Sequence, residues 1–144
     1  MTAARILIVE DDRSLAEVLA YNLNKAGYEV TVATDGEAAL IQAQVKSPDL
    51  LILDVMLPLI DGIEVCRRLR ADTATRDLLI MMLTAKSEEA DELAGFAVGA
   101  DDYVTKPFSV KVLLERVKAL LRRRSDEITA EDVAACQGVV VDRS

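Results

Sequence analysis

Short apolar runs punctuate the chain, and each is followed by a stretch of helical periodicity. Ile6-Leu7-Ile8-Val9, Leu50-Leu51-Ile52-Leu53 and Leu79-Ile80-Met81-Met82-Leu83 are apolar at every position, the pattern of strands covered on both faces. Elsewhere Leu15, Leu19 and Leu23 fall four apart, and Leu113, Leu114, Val117, Leu120 and Leu121 form another helical stripe. Gly27 suits a left-handed helix end, Ser47-Pro48 a helix stop and Asp61 an N-cap. Strands are expected over Arg5–Val9, Glu29–Ala33, Asp49–Leu53, Leu78–Leu83 and Tyr103–Thr105. Helices are expected over Arg13–Ala26, Glu37–Val45, Gly62–Arg70, Glu88–Val98 and Val110–Arg123. This alternation requires right-handed crossovers and helices on both faces of a parallel sheet. It fits an α/β, flavodoxin-like, doubly wound five-stranded sheet of order 2-1-3-4-5. After Arg124 the pattern changes. Ser125–Asp132 is polar and acidic, and Gly138-Val139-Val140-Val141 reads as a short strand with no partner in the chain.

A length of 144 residues fits one domain, here 1–124, with 125–144 as an appended segment. The net charge of −8 argues against free-standing nucleic-acid binding, which needs clustered Lys and Arg. The apolar runs are too short to span a membrane and the N-terminus lacks a signal-peptide core, so the expected location is cytoplasmic. Cys66 and Cys136 lack metal-ligand spacing and read as reduced thiols. The absence of histidine excludes Ser-His-Asp and Cys-His catalysis and any imidazole metal site. A metal here must be held by oxygen, which points to Mg²⁺ or a similar hard ion.

The candidate chemistry lies at the strand ends. Glu10, Asp11 and Asp12 follow the first strand, Asp54 the third, Thr84 the fourth and Lys106 the fifth. Open α/β sheets bind ligands outside these carboxyl ends, and the expected strand order sets Asp11 beside Asp54. Asp54 has two readings, a cap for the following loop or a carboxylate nucleophile towards phosphorus. The Glu-Asp-Asp run can be a solvated helix start or, at Glu10 and Asp11, part of a cation site; Asp12 suits the helix start. Lys106 reads as a surface lysine or as a fixed charge directed by Pro107, whose peptide bond could be cis. Thr84 reads as a helix cap or a phosphate-binding hydroxyl.

Together, Ile8-Val9-Glu10-Asp11-Asp12, Leu53-Asp54-Val55-Met56-Leu57-Pro58, Asp61-Gly62, Leu83-Thr84-Ala85 and Gly99 through Phe108 resemble the receiver domain of two-component response regulators, OmpR/PhoB subfamily. The resemblance covers about residues 5–124. It implies that Asp54 accepts a phosphoryl group from a sensor histidine kinase. Mg²⁺ would be held by Asp11, Asp54 and the Met56 carbonyl, with Glu10 acting through water. Thr84 and Lys106 would bind phosphoryl oxygens, and Tyr103 would turn inward as Thr84 moves. The resemblance also implies a homodimer through the fourth expected helix, fifth strand and fifth helix, with Asp102 and Arg116 in a crossed salt bridge. Residues 125–144 would be a linker and the first strand of a DNA-binding domain, making the chain part of a longer regulator, or else the C-terminal tail of a single-domain one.

Two rival classes fit less well. A phosphatase of the haloacid-dehalogenase class would want an acid two residues after Asp54, where Met56 stands. A flavin-binding module would want a Ser/Thr/Gly-rich loop after the first strand, where Glu10-Asp11-Asp12 would repel phosphate.

Overall fold

The computed structural model describes residues 3–85 and 98–136, the last twelve of these by backbone alone. Five parallel strands form one sheet, β1 (Arg5–Val9), β2 (Glu29–Ala33), β3 (Leu50–Asp54), β4 (Leu79–Ala85) and β5 (Asp102–Lys106). Their order is β2-β1-β3-β4-β5, as the periodicity predicts. The described helices are α1 (Arg13–Lys25), α2 (Gly36–Lys46), α3 (Gly62–Ala71) and α4 (Val110–Cys136). The expected helix over Glu88–Val98 and the expected strand at Gly138 lie outside the described residues, apart from a turn at Val98-Gly99.

Strand alternation divides the core in two. On one face, Leu7, Leu51, Leu53, Ile80 and Met82 pack with α2 and α3 through Ala39, Ala43, Val65 and Leu69. On the other, Ile6, Ile8, Ile52, Met81 and Leu83 pack with α1 and α4 through Leu19, Leu23, Leu113, Val117 and Leu120. Both stripes read from the sequence therefore face the core, with Leu15, Leu114 and Leu121 at its margin.

Three of the four described helix starts are capped by acids, and α4 by Ser109. Asp12, Asp35 and Asp61 accept the backbone N–H of Leu15, Ala38 and Glu64 at 3.3, 2.7 and 2.9 Å. Asp12 is thus the helix start expected of it. Gly27 takes φ +101° past the end of α1, and Ser47 ends α2 at φ 46°, directly before Pro48.

Three strands shift at both ends, β4 beginning at Leu79 rather than Leu78. Asp49 stands outside β3, its carboxylate accepting the Arg5 N–H at 2.8 Å, while Asp54 joins the ladder opposite Leu83. Strand β4 extends through Thr84 to Ala85, and β5 begins at Asp102 and includes Lys106. The last helix runs past the expected end at Arg123 to Cys136, because no Gly or Pro interrupts 124–136.

Candidate functional site

Parallel register assembles the site. Val9 pairs with Leu53, so Glu10 and Asp54 follow side by side at the ends of β1 and β3. Thr84 pairs with Thr105, and Ala85 with Lys106. Three strand ends thereby direct Glu10, Asp54 and Lys106 at one another.

Glu10 is fully buried and Asp54 is 4% exposed. The Lys106 Nζ donates to Asp54 Oδ2 and to Glu10 Oε1, each at 3.0 Å. The remaining oxygens accept from the adjoining loops, Asp54 Oδ1 from the Met56 N–H at 3.0 Å and Glu10 Oε2 from the Asp12 N–H at 3.2 Å. A buried carboxylate is costly without such partners. Burial chiefly, then the hydrogen bond and charge of Asp54, push the Glu10 carboxyl up from 4.5 to about 7 against the pull of Lys106. Burial would lower the Lys106 ammonium, but its bonds to Asp54 and Glu10 outweigh that and raise it. Lys106 is therefore a cation pinned between two acids, and the Lys106–Pro107 peptide that follows is cis.

Asp11 completes the cluster from the solvent side. Glu10, Asp11 and Asp54 each offer a carboxylate oxygen within 4.8 Å of the others. Three clustered acids, two of them paired with one ammonium and the third open to solvent, form an all-oxygen donor set suited to a hard divalent cation. Met56 is held against this cluster through its N–H.

Thr84 is buried, its hydroxyl 3.4 Å from the Ala85 carbonyl. Tyr103 is buried among the core residues that include Ile80 and Met82. Arg116 Nη1 lies 2.9 Å from Asp102 Oδ1 within the same chain, so this pair exists in one protomer.

Two contributors lie beyond the sequence reading. Gly62 reads as a helix start, yet a Cβ there would stand 2.2 Å from the Asp54 carbonyl oxygen and 2.8 Å from the Val55 Cα. Its missing side chain lets α3 begin directly against the acceptor strand, with the Gly62 N–H donating to Val55 O at 2.8 Å. Arg70 ties α3 to the segment before β5, donating to the carbonyl of Gly99 and to Asp101 Oδ2, each at 2.9 Å. The signal for Gly62 is its place eight residues after Asp54; Arg70 has none beyond a basic run.

A parallel sheet with an oxygen-lined acid cluster and a pinned lysine at its carboxyl edge is the arrangement of a receiver domain. A family model described as response regulator receiver domain matches residues 6–118, and the chain belongs to that family. It is of the PhoB/OmpR type. The alkaline phosphatase synthesis transcriptional regulatory protein PhoP of Bacillus subtilis (strain 168) is 53% identical over 119 residues, 83% of this chain and 49% of that protein. The phosphate regulon transcriptional regulatory protein PhoB of Rhizobium meliloti (strain 1021) is 48% identical over 139 residues, 96% of this chain and 61% of that protein. The chain thus spans about half the length of the curated relatives it matches. Among solved structures, the chemotaxis response regulator CheY4 of Vibrio cholerae superposes with TM-score 0.77 at 35% identity, covering 82% of this chain and 98% of that one. The signal receiver domain of a signal transduction histidine kinase from Syntrophus aciditrophicus gives 0.78 at 38% identity, covering 83% and 91%. Among the described residues, no helix is long and apolar enough to cross a membrane.

Proposed function

We propose that Asp54 accepts a phosphoryl group from the phosphohistidine of a sensor kinase. The observation that carries this is the pinning of Lys106 to Asp54 at 3.0 Å beside Glu10 and Asp11. An ionised carboxylate needs no general base. An Asp54 oxygen attacks phosphorus, an O–P bond forms, the P–N bond of the donor breaks, and the imidazole nitrogen keeps the electron pair. Lys106 holds positive charge where phosphoryl oxygens arrive, and Thr84 offers them a hydroxyl. Asp11, Asp54 and the Met56 carbonyl would hold Mg²⁺, with Glu10 behind water, and the ion would supply neutralising charge when bound.

The acyl phosphate should be long-lived. Met56, two residues past the acceptor and exposed, has no carboxylate or amide to orient attacking water. The signal would pass through movement of Thr84 and Tyr103 to the face of β5 and its flanking helices, where two chains pair. The closed Asp102–Arg116 bridge would then exchange partners between chains. Half-exposed pairs of this kind contribute only about 0–1 kcal/mol, so the exchange costs little. Residues 125–144 would lead from the receiver at 1–124 to a DNA-binding domain, making the complete protein a cytoplasmic transcription regulator that dimerises on phosphorylation.

Incubation with a small acyl-phosphate donor and Mg²⁺, followed by intact mass, tests the acceptor. The wild type gains one phosphoryl group and Asp54→Asn gains none; equal labelling of the two would overturn the proposal.

A further inference from the structure

Two loops carry the cation cluster and the Met56 carbonyl, residues 10–12 after β1 and 55–61 after β3, and one backbone turn touches both. It is the turn between β2 and α2. At its start the Ala33 carbonyl accepts the Glu10 N–H at 3.1 Å; at its end the Gly36 N–H donates to Pro58 O at 3.4 Å. Asp35 between them is held by accepting the Ala38 N–H at 2.7 Å. The second contact is closer than any side chain at position 36 would allow. Gly36 is buried, and a Cβ there would stand 2.0 Å from the Ile60 carbonyl oxygen and 2.8 Å from both its carbonyl carbon and its Cβ. Two of these three are backbone atoms, which cannot rotate aside as the tip of a flexible side chain would. A side chain at position 36 must therefore push the 58–60 backbone and the turn apart.

The loop cannot absorb that push at its ends. The Val55 N–H donates to Leu83 O at 3.0 Å and the Gly62 N–H to Val55 O at 2.8 Å, which fastens both feet to the sheet and α3. Met56 is the first residue past the fixed foot, its N–H on Asp54 Oδ1 at 3.0 Å. Displacement of Ile60 is thus taken up by residues 56–61, the Met56 carbonyl among them. Leu59 lies in this span with φ +70°, a conformation that a branched residue keeps only where its surroundings over-determine it. Mg²⁺ demands near-ideal octahedral geometry and tolerates little movement of its ligands. We propose that Gly36 is a positioning residue for the cation site. It meets neither ion nor phosphate. Having no side chain, it seats the turn directly on Ile60, and the turn sets the spacing between the loop of Glu10 and Asp11 and the Met56 carbonyl. This inference rests on the proposed function and adds a determinant of ion affinity outside the ligands.

The test titrates the full chain with Mg²⁺ alone, followed by amide NMR well below the melting temperature. Asp11→Ala, which should lose the binding, shows that the titrated site is the assigned one. Gly36→Ala should raise the Kd about tenfold, the usual effect of disturbing a group behind the ligands, and should shift the Met56 and Leu59 amide signals before any ion is added. Gly27→Ala is the control. Position 27 has φ +101° and nothing within 4 Å of an added Cβ, so this variant loses stability through backbone strain alone and should keep the wild-type Kd. Ile60→Ala approaches the same contact from the loop by trimming a partly buried side chain, and decides the question where Gly36→Ala does not fold. It should raise the Kd about threefold. A wild-type Kd in folded Gly36→Ala or in Ile60→Ala would overturn the inference, as would a Kd raised equally by Gly27→Ala. A wild-type Kd in Asp11→Ala would instead overturn the ion set of the proposed function.

Discussion

Replacing Glu10 with glutamine should stabilise the metal-free protein at neutral and alkaline pH. Glu10 is fully buried, shares Lys106 with Asp54, and has its carboxyl pushed up from 4.5 to about 7. Below about pH 4.5 the group is protonated in both folded and unfolded chains, and stability is undiminished. Between there and about pH 7 the unfolded chain ionises while the folded chain resists, so stability falls as pH rises. Above that the loss levels off. At about 1.4 kcal/mol per unit, the full loss is on the order of 3–4 kcal/mol. The substituted amide cannot titrate. Its carbonyl oxygen can accept from Lys106 or from the Asp12 N–H but not both, a pH-independent cost of about 1 kcal/mol. Urea denaturation in a chelator, from about pH 4.5 to 8.5, should show Glu10→Gln slightly less stable at the acid end and about 2–3 kcal/mol more stable at the alkaline end. Excess Mg²⁺ should narrow the alkaline gap by stabilising the wild type. A difference that stays flat with pH, or grows in favour of the wild type, would refute the reasoning.

Gly62→Ala should cost about 2 kcal/mol in urea, since the new Cβ meets backbone at 2.2 and 2.8 Å and overpacking outweighs the gain in helix propensity; equal stability would show that the start of α3 is free to shift. Cys66 is buried, and desolvation first of all pushes its thiol up to about 11. In a Cys136→Ser background its reaction with a thiol reagent at about pH 8 should be at least about a hundredfold slower in native protein than in urea, because the native thiol is both protonated and covered; comparable rates would contradict its placement.

Sheet order is legible in the sequence because the central strands are apolar at every position, and the core face of α1 and α4 because each carries an apolar stripe; α2 buries only small residues and shows none. The strand ends are less so. Asp54 and Lys106 read as residues beyond their strands because charge ends an apolar run, yet the ladder carries both as terminal members. The pairing of Lys106 with Glu10 spans 96 residues of sequence, and no local spacing reports it. The resemblance gives Glu10 a role toward the ion through water; its direct bond to Lys106 adds a second partner to that reading. Asp102 and Arg116 match a bridge between chains, and the pair closes within one. The acidity after Arg124 suggests a linker, but helix-compatible residues without a breaker carry α4 on to Cys136. Gly62 is visible as a helix start and as part of the Asp61-Gly62 motif, but not its reason, because the demand it meets comes from the backbone of β3.

The proposed chemistry joins one atom pair, an oxygen of Asp54 and phosphorus. Wild-type protein labelled with a small acyl phosphate and Mg²⁺ can be treated with borohydride, which reduces an aspartyl phosphate to homoserine, then digested and sequenced by mass spectrometry. Homoserine is expected at position 54, with Glu10, Asp11 and Asp12 unchanged. Homoserine at another aspartate, or phosphate retained on a hydroxyl side chain with Asp54 intact, would contradict it.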